Sequence, residues 1–131
     1  MGNHNNQKKI KNIEIGKYYL IHDGSKSGHP GLIIWKDDQA NLYLAIKIGS
    51  TSNKNNTLLN SNLTNDIINH YYYNKPFLGK HKDFGSKPFL DWTLTQELEK
   101  LSQKLINKAP IESKSIRRKD RYRFKRSINK K

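Results

Sequence analysis

Cysteine is missing from this chain, acidic residues are scarce, and no apolar run is long. Without cysteine there is no disulfide scaffold and no thiolate-ligated zinc or iron–sulfur site, and a reducing compartment is tolerated. No stretch approaches the roughly 20 apolar residues needed to span a bilayer. Residues 1–12 are rich in Asn and Lys and lack the apolar centre of a signal peptide, so a cytoplasmic protein is expected. Asp and Glu number 11 against 25 Lys and Arg, a formal net charge of +14. Such an excess attracts polyanions and leaves nucleic acid, an anionic membrane or an acidic protein as partner classes, beside a charge that serves only solubility.

A length of 131 residues suits one domain of ordinary size with short tails. Residues 1–12 offer almost nothing to a core and read as a disordered arm. Lys17-Tyr18-Tyr19-Leu20-Ile21 is aromatic and branched, the composition of a strand. It runs into the polar, glycine-bracketed loop His22 to Gly28. Leu32-Ile33-Ile34-Trp35 predicts a central buried strand and Lys36 to Asn41 a turn. Leu42 to Ile48 follows as its hairpin partner, with Leu42, Leu44, Ile46 and Ile48 on one face. Gly49 to Asn62, rich in Ser, Thr and Asn, reads as a long loop, and Lys80 to Lys87 as a charged one. Asp66 to Tyr73 begins as either helix or strand, and Phe77-Leu78-Gly79 fits a short strand.

Leu94, Leu98, Leu101 and Leu105 make one apolar stripe and predict a closing helix over about 93–108. Thr93 with Gln96 has the form of a capping box, and Pro110 ends the element. Residues 111–131 read as a basic tail, with ten cations against Asp120 alone from Lys114 onward. The fold class expected is therefore mainly β with one C-terminal helix (α+β) over residues 13–110.

Two constellations carry chemistry. In the tail, Arg117, Arg118, Arg121, Arg123 and Arg126 can pair with phosphate through a planar fork, and Tyr122 and Phe124 offer stacking faces to unpaired bases. The alternatives are aromatics docked on the domain and cations that bind an acidic protein. Second, His29 opens one strand of the hairpin and Ser50, Thr51 and Ser52 follow the other, so the antiparallel register sets them at one end of the sheet. Histidine can move a proton from a ribose 2′-hydroxyl or to a leaving 5′-oxygen, and hydroxyls with backbone N–H groups can hold phosphate. These are the parts for metal-free RNA cleavage. His22 and Asp23 precede the loop, and Asp23 could orient a base or serve as turn chemistry. His70, His81 and Asp83 lack metal-ligand spacing, so no metal or cofactor is expected. Lys80 and Lys82 lie in a loop that is RNA-contacting or merely solvated. Trp35 and Trp92 read as packing residues.

Gly16-Lys17-Tyr18-Tyr19-Leu20, Gly28-His29-Pro30-Gly31-Leu32-Ile33-Ile34 and Leu44 to Ser52 resemble the N-terminal half of the MazF/PemK family of toxin endoribonucleases. Leu90 to Ile106 is similar to that family's closing helix, so the likeness covers most of residues 13–108. It implies an SH3-like small barrel, a homodimer, and metal-independent cleavage of single-stranded RNA, messenger or ribosomal, by 2′-hydroxyl attack. It also implies neutralisation by an acidic antitoxin. His29 falls where the family has a catalytic arginine, and Thr51, with Ser50 or Ser52, where it has its hydroxyl residue. Histidine can exchange protons but lacks a permanent charge, which Lys26, Lys47 or Lys54 would supply. The Arg-rich C-terminal extension matches no family feature. The alternative function is a non-catalytic RNA- or DNA-binding module of a phage or mobile element.

Overall fold

The two long strands of the sheet grow from the two most apolar stretches of the chain. In a computed structural model, which describes residues 12–108, 110–113 and 116–129, they are β2 (His29–Asp37) and β3 (Leu42–Gly49). They pair antiparallel from Gly31↔Lys47 to Asp37↔Leu42 around a turn in which Asn41 takes φ 57°, a conformation that asparagine tolerates. β1 (Tyr18–Ile21) lies on the other edge of β2, with Ile21 opposite His29. β4 (Asn56–Leu58) and β5 (Tyr71–Tyr73) form a small antiparallel pair, and β5 joins the end of β3 through Ile48↔Tyr72 and Gly49↔Tyr71. β6 (Phe77–Gly79) pairs with the first half of β3, and β7 (Glu112–Ser113) lies parallel to β6. Together they make a seven-stranded sheet. A single 3₁₀ turn, His81–Asp83, carries the chain from β6 back to β1, where Phe84 bridges Ile21 and the Gly85 N–H donates to Leu20 O at 2.7 Å.

The middle of the sheet, where β2 and β3 pair, is buried on both faces. Leu42, Leu44, Ile46 and Ile48 share one cluster with Tyr18, Leu32 and Trp35, as the alternation predicts. The opposite face of β3 is buried too, with Tyr43 and Ala45 among Tyr19, Ile21, Ile33, Phe77 and Phe84. A register shift between Ile33 and Trp35 lets Ile34 and Trp35 both enter the first cluster. Each fully buried Leu or Ile of these clusters contributes about 1.5–3 kcal/mol.

Helix α1 (Gln96–Lys108) closes that first cluster with Leu98 and Leu105, while Leu94 lies before the helix and is exposed. Its cap is Thr95, whose Oγ1 accepts the Leu98 N–H at 3.3 Å, and not the expected Thr93. Thr93 is occupied through its backbone, donating to Leu63 O and accepting from the Tyr18 hydroxyl at 2.7 Å.

The structure departs from the sequence reading at two further places. The expected loop 49–62 contains β4, because the strand finds a partner in the Tyr71–Tyr73 triplet. The basic segment read as a tail carries a second helix, α2 (Arg118–Asn129). Its inner stripe of Asp120, Phe124 and Ile128 docks the helix on the sheet, with the Phe124 ring 4.7 Å from Trp35. Residues 1–11, most of the arm expected at the N-terminus, lie outside the described residues. No helix among the described residues is long and apolar enough to cross a membrane.

Candidate active site

The loop between β1 and β2 folds on itself because Asp23 takes the donors around it. The Ser25 N–H and hydroxyl both donate to Asp23 Oδ1, at 3.2 and 2.6 Å. Gly28 turns the chain back with φ +70°, and a Cβ there would sit 2.6 Å from Ile21 O, so only glycine fits. That turn delivers His29 beside the second carboxylate oxygen, with Nδ1 2.8 Å from Asp23 Oδ2.

Lys47 reaches the same oxygen from β3, at 3.0 Å, and spans to Glu112 of β7, also at 3.0 Å. The Lys47 side chain is 8% exposed and that of Asp23 only 3%. Burial alone would raise the Asp23 carboxyl, but hydrogen bonds from Ser25, Lys47 and His29 outweigh it and hold the group well below the ordinary carboxylate range. Burial likewise pulls Lys47 down, and the hydrogen bonds to Glu112 and Asp23 overcome it, leaving the ammonium more firmly protonated than usual. An ionised carboxylate only accepts, so Nδ1 of His29 carries a hydrogen toward Asp23, and the tautomer with its hydrogen there has the lone pair on Nε2.

The His29 ring, its side chain 26% exposed, meets Tyr73 edge-on at 5.4 Å between centroids. With Ser50 and Thr51 it lines a cavity of about 440 Å³. The structure thus brings His29, Ser50 and Thr51 to one rim, whereas Ser52 is exposed and is not part of that lining. A second cavity of about 490 Å³ lies beyond Tyr73, which lines both, and contains Lys54 and Lys75.

The cations expected to meet nucleic acid divide into two groups. Lys26, Lys54 and Lys82 are exposed, as are Arg118 and Arg126. Tyr122 is 63% exposed with the Arg126 guanidinium 5.7 Å from its ring, a stacking face open to solvent. Lys47 is instead held between its two carboxylates, with its ammonium 4.5 Å from the centre of the Tyr73 ring and little of the side chain exposed. Phe124 is buried and offers no face to a base. Lys80 and Arg117 both reach Asp120, at 3.3 and 3.6 Å, and Arg123 reaches Asp37 at 2.9 Å. Arg121 is half-buried and donates to the Ser113 hydroxyl.

Sequence reasoning passed over Glu112 and Tyr73 as site residues, weighed His70 only as a metal ligand, and left Asp23 divided between orientation and turn chemistry. Asp23 and His29 stand at the two ends of a glycine-bracketed loop, and that placement was the available signal. Nothing local marks Glu112, which the β6–β7 pairing delivers. Among the described residues no three His, Asp or Glu side chains group as a metal site would need. Comparison of the chain with known protein families, curated proteins and solved structures returns no match.

Proposed function

We propose that the chain is a metal-independent endoribonuclease of MazF/PemK type on an SH3-like barrel, cutting single-stranded RNA in a toxin–antitoxin system. One observation carries the reading: a histidine held by a buried, ionised aspartate shares a cavity with two hydroxyl side chains. The curl of the sheet, in which Phe84 returns to bridge Ile21 after a 3₁₀ turn, supports the barrel assignment.

In this chemistry Nε2 of His29 takes the proton of a ribose 2′-hydroxyl, and the 2′-oxygen attacks phosphorus. The bond from phosphorus to the 5′-oxygen breaks, and that oxygen leaves with a proton from water at the open side of the cavity. The products are a 2′,3′-cyclic phosphate and a 5′-hydroxyl end. Asp23 orients the ring and stabilises the imidazolium, as a buried carboxylate does beside a catalytic histidine. Ser50 and Thr51 hold the non-bridging phosphate oxygens, with Lys54 the nearby fixed charge. The strongly basic chain would be neutralised by an acidic antitoxin and would act as a homodimer in the cytoplasm.

The test is incubation of the purified protein with mixed single-stranded RNA in EDTA. Cleavage is expected, with His29→Ala slower by about 10²-fold or more. RNA that is bound but left intact, or cleavage indifferent to His29→Ala, overturns the nuclease reading. The first of these results leaves a non-catalytic binding module, which the outward Arg118, Tyr122 and Arg126 of α2 would serve.

A further inference from the structure

Helix α2 turns outward a basic face that neither the fold nor the cleavage chemistry uses. Arg118, Lys119, Tyr122, Lys125 and Arg126 are all exposed, at the spacings that put residues on one side of a helix. Among the described residues Arg118, Lys119 and Lys125 pair with no carboxylate, unlike Arg117, which reaches Asp120. Arg118 and Lys119 stand in the first turn, where the helix dipole disfavours cations. Arg121 and Lys125, one turn apart, repel each other. Stability of the fold does not account for such a face. A polyanion that covers it relieves both penalties.

The same face has room for a nucleotide. Tyr122, Arg123, Arg126 and Ser127 line a cavity of about 320 Å³ against Asp37. The Asp37 carboxylate is already taken by the Arg123 guanidinium at 2.9 Å, which leaves the charge of Arg126 over. The Tyr122 ring is open to solvent, with the Arg126 guanidinium 5.7 Å from its centre. An open aromatic ring among cations suits a single nucleic-acid strand, whose base stacks while its phosphates follow the charges. A duplex hides its base faces from such a ring, and a membrane surface would ask this face for large apolar side chains. The face also lies far from His29. Phe124 on Trp35 and Arg123 on Asp37 fix α2 to the end of β2, whereas His29 is the first residue of that strand. The nine residues of β2 set the two about 25 Å apart along the strand.

We infer that the outer face of α2 is an exosite for single-stranded RNA, remote from the cut. It stacks one unpaired base on Tyr122 and holds the neighbouring phosphates with Arg118, Lys119, Lys125 and Arg126. The inference rests on RNA being the substrate of the His29 site. It adds a length requirement, because a strand that ends near the cut loses the second contact and a longer one gains affinity through it.

The full chain is titrated with 2′-O-methyl RNA strands of about 4 and about 16 nucleotides, which lack the attacking hydroxyl, and fluorescence anisotropy is followed. The longer strand is expected to bind about 10²-fold more tightly, and Tyr122→Leu with Arg126→Glu to remove most of that advantage. Lys119→Glu with Lys125→Glu, on the same face but clear of the ring, is a second variant with the same expected loss. A 4-thiouridine placed at each end of the long strand in turn is expected, from one end, to cross-link to residues 118–126. A length advantage that survives in both variants overturns the inference. So does a blunt hairpin of equal length that α2 holds more tightly than the strand. An advantage lost in the variants of a chain that leaves unmodified RNA intact keeps the exosite and removes the nuclease reading. Cleavage that depends on His29, with no length advantage in binding, removes the exosite and keeps the nuclease.

Discussion

Asp23 is the residue on which the site turns, because all the donors that reach it are needed to keep a buried charge. Its side chain is 3% exposed, and it accepts from Ser25, His29 and Lys47. Removing one partner of a buried ion pair costs about 3–5 kcal/mol, since the other charge stays behind without compensation. The folded-state pKa of Asp23 is depressed, so the stability it supplies is complete above its ordinary value of 3.8 and drains away as pH falls toward the lower folded value. Asp23→Asn is therefore expected to lower stability by about 3 kcal/mol at neutral pH and to flatten the acid limb of the profile. Urea unfolding at pH 7 and at about pH 3 measures both effects. A variant as acid-sensitive as the parent chain would show that Asp23 is not the titrating group. The surface pair Lys36–Asp38, with the aspartate side chain 60% exposed, adds little by comparison.

At the scale of elements, α2 shows how a strongly basic segment can be held by very few residues. Most of its side chains are charged, yet Phe124 meets Trp35 and Asp120 receives Lys80 and Arg117. Among the described residues the helix has no other deep anchor. Phe124→Ala is expected to cost about 3–5 kcal/mol, the ordinary loss for an aromatic core residue, whereas Tyr122→Ala, on the solvent side, is expected to be near neutral. Denaturant melts of the two variants decide, and equal melts would mean that the docked face contributes nothing. The same segment delivers Glu112 to Lys47 through β7 and so ties the C-terminal elements to the carboxylate that orients His29.

For the whole molecule, the net charge of +14 is an electrostatic property that no single contact accounts for. Binding to single-stranded RNA is expected to weaken steeply between about 50 and 200 mM salt, with a slope of roughly 0.7 for each phosphate contacted. Arg118→Ala with Arg126→Ala is expected to lower that slope by about 1.4, read by fluorescence anisotropy on a non-cleavable strand. An unchanged slope would remove the outward face of α2 from the binding surface.

Much of this was legible in the chain itself. The hairpin of β2 and β3, the 98–105 leucine stripe, the short strand at Phe77 and the basic C-terminus follow from periodicity and composition, which are local properties. The shared rim of His29, Ser50 and Thr51 follows from antiparallel register, which is nearly local. Three facts come only from packing at a distance: Lys47 turned into a buried ion pair, Phe124 spent on Trp35, and His70 placed in the wall of the His29 cavity. Composition determined that this chain carries cations, aromatics and histidines. The tertiary structure decided which of them remain free to meet a ligand, because burial depends on partners that lie far away in the sequence.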